Sequence, residues 1–398
     1  MDENNNQMQI IYDPYEEEEK KYVFDINKNK YISNAYINKG SLGPIGSFYL
    51  TNSEELVSIK KIENAYESPS KGKNVLKLLS ISSFTNHPNI IKLLDIIIPE
   101  KEEYQDIYLI EEYMGTNLEK LVVSKEIGYK DKNLLYPWII YQLLRGLHYL
   151  HSCKIMHRDI KSSKILLDEK GKIKICGFGN AISFDDYENT TKGEINDFIT
   201  EKGVLTYRAP ELLSNKKKGI NSYDEKIDIW GVGCIMAELY TNINPFFPSA
   251  KNDKKKWVSQ LSGIFKKLGK PSKQDIQEFA SSERIKDILK FHSYPKLENS
   301  ELFPNVDDDN AIDLMQKFLC INPKKRISIK EAINHPYFNV IEEYKNKDDF
   351  MDSSEIYTNE YKEKIKEMEK KNAYFQDQIK FYKEEILLKQ KSFQNNKK

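Results

Sequence analysis

The period at which apolar residues recur changes once along this chain, and the change calls for two different kinds of core. From Tyr31 to about Ile110 they fall in short β-type runs, YISNAYIN, SFYL, LVSIKK, IIKLLDIII and IYLIEEY, with one helical candidate near Asn74 to Phe84. From Leu134 the period is helical, in LLYPWIIYQLLRGLHYLHS, DIWGVGCIMAELY, WVSQLSGIFKKL and AIDLMQKFLC, each closed by glycine, proline or polar clusters. The expected fold class is α+β and bilobal: a small antiparallel β-sheet lobe with one helix, then a larger, mainly helical lobe.

The remaining sequence narrows the function. The 61 basic and 61 acidic residues cancel, so no overall field favours nucleic acid or an anionic membrane. Cys153, Cys176, Cys234 and Cys320 are widely spaced in apolar stretches, which suggests neither disulfides nor a zinc site and suits a reducing, intracellular compartment, cytoplasm or nucleus. Residues 1–30 start with neither a basic segment nor an apolar run, so no secretory signal is expected. They are too polar for a core of their own and read as a disordered tail. No apolar stretch approaches membrane-spanning length.

Four motifs then follow in order. INKGSLGPI (Ile37 to Ile45) lies between two strand-like runs, and its glycines would let backbone amides approach phosphates; alone, such a segment is more often just a hairpin turn. VSIK puts Lys60 inside an apolar strand, where a lysine needs a reason to be buried. HRDIKSSK (His157 to Lys164), CGFG (Cys176 to Gly179) and RAPE (Arg208 to Glu211) come after. The set resembles that of the eukaryotic protein kinases over about residues 31–338, divided into lobes at 31–114 and 115–338. DIWGVGCIMAEL, NPFFP, QLSGIFKKLGKPS and NPKKRISIKEAINHPYF look like the cyclin-dependent kinases of the CMGC group, with the MAP kinases as the nearest other choice.

The resemblance implies roles position by position. Asp159 matches the base that accepts the substrate hydroxyl proton, and Lys161 the lysine that assists the transferred phosphoryl group. Lys60 matches the lysine on the α- and β-phosphates. Ile37, Ile45, Ser58, Met114 and Leu166 match the residues that sandwich adenine, and Glu112 to Met114 the hinge that hydrogen-bonds it. Asn38, Gly40 and Gly43 match the phosphate loop, with Asn38 replacing its first glycine. Glu211 and Arg326 resemble a structural ion pair.

Other positions depart from the pattern. The metal-binding aspartate is Gly177, which offers no side-chain oxygen, and the metal-binding asparagine is Lys164, whose ammonium repels a cation. The glutamate expected about 18 residues after Lys60 and nine before His87 is Leu78. Val204 replaces a threonine, and the activation segment carries the polar insertion DDYENTTKGEIND. Glu111 stands at the back of the adenine pocket, where the family has an apolar or small residue. It is expected to pair with Lys60 unless it faces solvent.

No conventional metal site is therefore expected, magnesium should not bind in the usual way, and ATP should bind weakly without metal or not at all. The leading expectation is a pseudokinase acting as scaffold or allosteric partner. The alternative is an active serine/threonine kinase with unorthodox metal handling. A cyclin-like partner is what the resemblance suggests, but GKNVLKLL (Gly72 to Leu79) does not match the cyclin-contacting helix. Residues 339–398 are charged and helical, with Tyr361, Ile365, Met368, Asn372, Phe375, Ile379, Tyr382, Ile386, Lys389 and Phe393 at alternating spacings of four and three. That seam fits a coiled-coil homodimer over residues 361–393, or an amphipathic helix folded back on its own domain.

Overall fold

The computed structural model describes residues 9–14, 20–40, 42–98, 106–124, 132–184, 205–214, 223–249, 256–345 and 379–384. They fall into two units, one holding residues up to 86, 91–114 and the 379–384 segment, the other 87–90 and 115–345. Residues 87–90 thus group with the helical unit, a departure from the expected lobe boundary.

The first unit is built on a five-stranded antiparallel sheet. Its strands are β3 (Tyr31–Gly40), β4 (Gly43–Leu50), β5 (Leu56–Ile62), β6 (Leu93–Ile97) and β7 (Ile107–Glu112), in the order β3-β4-β5-β7-β6. Side chains alternate across the sheet, so Val57, Ile59, Tyr108 and Ile110 share one face with Phe48.

A β-hairpin covers that face, and it corrects the disordered tail expected over residues 1–30. Strands β1 (Gln9–Asp13) and β2 (Lys20–Phe24) pair antiparallel, and Ile11, Tyr22, Phe24 and Ile26 join the buried cluster. Phe24 is fully buried, with its ring edge-on to Phe48 at 5.2 Å. The Gln9 amide fixes the hairpin to β3, donating to the Tyr31 carbonyl (2.6 Å) and accepting from the Ser33 amide (2.7 Å). Gly46 makes room for it, since a Cβ there would meet the Ile11 Cδ1 at 2.3 Å. Residues 1–8 and 15–19 lie outside the described residues.

Helix α1 (Pro69–Phe84) starts earlier than its apolar period suggests, because Ser68 caps it, accepting from the Lys71 amide at 3.3 Å, and Pro69 occupies the first helical position. From Leu78 to Phe84 it is buried on all sides. Part of the cover comes from the helical residues 379–384: Ile379 and Tyr382 are buried, and the Tyr382 ring lies edge-on to Phe84 at 6.1 Å. Of the proposed dimer seam, these two positions are covered within the chain and so are not offered to a second copy in this conformation. The other seam positions lie outside the described residues.

The second unit is mainly helical. Short strands β8 (Thr116–Asn117), β9 (Ile155–Met156), β10 (Ile165–Leu167), β11 (Ile173–Ile175) and β12 (Ile182–Ser183) accompany helices α2 (Leu118–Ser124), α3 (Lys132–Ser152), α4 (Pro210–Leu213), α5 (Lys226–Thr241) and α6 (Lys256–Leu268), with shorter helices after them. Almost every residue of α5 is buried, as expected of a helix apolar on all faces. Arg326 and Glu211, both nearly inaccessible, form a two-pronged pair at 2.7 and 3.0 Å, in agreement with the structural role expected of them.

Candidate active site

In the sheet unit, register joins the residues expected at the nucleotide. Asn38 pairs with Ile45, Ile45 with Lys60, and Lys60 with Leu109, so the four form a row across β3, β4, β5 and β7. Gly43 has φ +149, and a Cβ on it would strike the Lys61 carbonyl oxygen at 2.3 Å, so this glycine is required by backbone packing alone. Gly40 has only ordinary contacts and carries no such requirement. Ile37, Glu112 and Lys60 are half-buried, and Met114 is buried.

Glu111 is half-buried, so it does not simply project into solvent. It pairs with Ser58, two residues from Lys60 and on the same face, which makes Glu111 and Lys60 diagonal neighbours within reach of long side chains. Neither is without a polar or electrostatic contact. Leu78 is buried at 2% exposure, and α1 has no acidic residue in its first turn.

In the helical unit, Asp159 and Lys161 meet at 3.1 Å, each about a quarter exposed. The loop that carries them is held from beneath by Asp228 of α5. Its Oδ2 accepts from the His157 amide at 2.9 Å and meets the His151 Nε2 at 2.9 Å, while its Oδ1 accepts from the Arg158 amide at 2.8 Å. Burial works to raise the Asp228 pKa, but the His151 hydrogen bond and charge, with His157, bring it below the ordinary carboxylate value. Arg158 takes φ +63, a conformation that a non-glycine residue keeps only where its surroundings impose it. Its side chain donates to the Asn180 carbonyl (2.6 Å) and the Tyr223 hydroxyl (2.9 Å).

A second anchor lies deeper. Glu238, also on α5, accepts from the Ser162 hydroxyl and from Tyr207 at 2.7 Å. Burial pushes its pKa up to about 7 against the pull of those two hydroxyls. Ser162 directly follows Lys161, so α5 grips the loop on both sides of the Asp159–Lys161 pair. Neither anchor was assigned from sequence, although a carboxylate inside a helix as apolar as DIWGVGCIMAEL is a signal in itself.

Lys164 and Gly177 lie next to each other, and Leu166 follows on β10. The Lys164 side chain runs over the Gly177 backbone, so the pair offers a divalent cation no side-chain oxygen. Among the described residues, no cluster of three or more His, Cys, Asp or Glu is arranged to hold a metal. Val204 and residues 185–197 of the insertion lie outside the described residues.

A loop clamped by the buried Asp228, Asp159 beside Lys161 within it, and the buried Glu211–Arg326 pair are the arrangement that the resemblance to protein kinases leads one to expect. The chain belongs to the protein kinase domain family, which it matches over residues 31–338, and ATP is the nucleotide that membership implies. It is 37% identical over 303 residues to the mitogen-activated protein kinase homolog NTF6 of Nicotiana tabacum, covering 76% of each chain. It is 34% identical over 324 residues to mitogen-activated protein kinase 11 of Arabidopsis thaliana, covering 81% of this chain and 82% of that one. It is also 34% identical to the extracellular signal-regulated kinase 1 of Dictyostelium discoideum, over 76% of this chain and 54% of that one. These relatives are MAP kinases, so the likeness lies with the group ranked second from sequence and not with cyclin-dependent kinases in particular. Among the described residues, no helix is long and apolar enough to cross a membrane.

Proposed function

We propose that the chain is a serine/threonine protein kinase of the MAP kinase type, slowed by its altered metal positions. The observation that carries this reading is the Asp159–Lys161 pair at 3.1 Å in a loop that Asp228 and Glu238 fix from the core. A chain used only as a scaffold has no need of that arrangement. In the proposed reaction the hydroxyl oxygen of a protein serine or threonine forms a bond to the γ-phosphorus of ATP. The bond from that phosphorus to the β–γ bridging oxygen breaks, ADP leaves, and the hydroxyl proton passes to Asp159. Lys161 holds the transferred group, and Lys60 the α- and β-phosphates, with Glu111 as its carboxylate partner in place of the one absent at Leu78.

A pseudokinase scaffold is the second reading, and the missing oxygens at Gly177 and Lys164 favour it. The two separate on transfer of radiolabelled phosphate from ATP to a generic protein substrate. We expect slow transfer by the wild type and a fall of about 100-fold or more in Asp159→Asn, the lower range for losing a general base. Equal background counts from both proteins, with and without magnesium, would establish the scaffold.

A further inference from the structure

The residue present at 164 and the side chain missing at 177 fit one another. Lys164 closes the short turn Ser162–Lys164; its amide donates to the Lys161 carbonyl at 2.8 Å, and its carbonyl accepts from the Cys176 amide at 2.9 Å. Antiparallel pairing of Ile165 with Ile175 continues the contact, so backbone bonds on both sides hold residue 164 beside Gly177. Gly177 has φ +88, and a Cβ built on it would lie 2.7 Å from Cδ, 2.8 Å from Nζ and 3.0 Å from Cε of Lys164. The end of the lysine thus fills the space through which any side chain at 177 would leave the backbone. Lys164 is half-buried, and no ion-pair partner for its ammonium occurs among the described residues.

We propose that Lys164 is a tethered cation standing where a metal ion would, and that this face takes the phosphate oxygens of metal-free ATP. The inference rests on the kinase reading only for the choice of nucleotide. An ammonium offers three N–H donors and one positive charge on a compact centre, which suits phosphate oxygens. A divalent ion brought beside it meets like charge and finds no side-chain oxygen at 164 or 177. The two replacements also explain each other. An aspartate at 177 would crowd Lys164 and pair with it, closing the position to phosphate, whereas glycine leaves the ammonium unneutralised.

The test is calorimetric titration of the full chain with ATP, in EDTA and in excess magnesium, on variants whose melting temperature matches the wild type. Wild-type affinity should differ between the buffers by no more than about threefold. In EDTA, Lys164→Met should weaken binding about 10-fold or more, the value of a hydrogen bond to a charged group, while Lys164→Arg keeps most of the affinity. The double variant Lys164→Asn with Gly177→Asp, which supplies oxygens and removes the ammonium, should acquire a magnesium dependence of about 10-fold or more. Tenfold tighter wild-type binding in magnesium, or an unchanged affinity for Lys164→Met in EDTA, overturns the inference. Metal-free binding without phosphate transfer keeps it and sinks the kinase reading, whereas transfer with magnesium-requiring binding does the reverse. No ATP binding in either buffer sinks both.

Discussion

Truncating Phe24 to alanine tests whether the N-terminal hairpin belongs to the folded domain. Phe24 is fully buried and faces two aromatic rings, Phe48 at 5.2 Å and Tyr108 at 5.9 Å. Removing a buried phenylalanine side chain costs about 3–5 kcal/mol, the lost transfer free energy plus the cavity left behind. Each aromatic pair accounts for about 0.5–1.5 kcal/mol of such a loss. The hairpin's own attachment limits the effect, since a hairpin that detaches costs no more than its docking supplied. Urea unfolding of the full chain, followed by amide hydrogen exchange in β3, β4 and β5, should show the first unit destabilised by about 3–5 kcal/mol. Exposed Tyr12→Ala on the same hairpin should stay within about 0.5 kcal/mol. A loss for Phe24→Ala as small as that of Tyr12→Ala would return residues 9–24 to the status of a tail.

Glu238 makes stability depend on pH in a direction unusual for a carboxylate. Its folded-state pKa is raised to about 7 from 4.5, so its contribution is fully present below pH 4.5 and is lost as pH rises through about 7. The amplitude is on the order of 3 kcal/mol. His87, which burial lowers to about 3, acts oppositely below pH 6.5, so the measurement is the difference between wild type and Glu238→Gln. That difference should shift toward the variant by on the order of 3 kcal/mol between pH 4.5 and 8, and a flat difference curve contradicts the raised pKa. Tyr382→Ala should speed amide exchange in the last two turns of α1 with a monomeric mass at all concentrations; unchanged exchange, or a mass that doubles on concentration, would mean that the segment serves a second copy instead.

What could be read in the sequence was chemistry fixed by residue type within short ungapped motifs. Asp159, Lys161, Lys164 and Gly177 were named on that basis, as was the Glu211–Arg326 pair. What could not be read depends on partners distant in the chain. The hairpin shows only Ile11, Tyr22 and Phe24 as its inward apolar residues, interspersed with charges, and its meaning appears once Gly46, far along the chain, is seen to make space for Ile11. The heptad spacing around Ile379 and Tyr382 was legible, but a seam does not record whether it meets another copy or Phe84. Asp228 is legible as part of a motif and not as an anchor, because its three polar contacts come from His151, His157 and Arg158, some 70 residues earlier.

The grip of α5 on the loop of Asp159 and Lys161 separates shape from charge. Asp228 and Glu238 set where Asp159 and Lys161 stand, and neither contact passes through residue 164 or 177. Ionic requirements can therefore be rewritten on the upper side of this loop while its contour stays constant. A protein built this way is a ready chassis for asking how much of phosphoryl transfer belongs to positioning and how much to counter-ions.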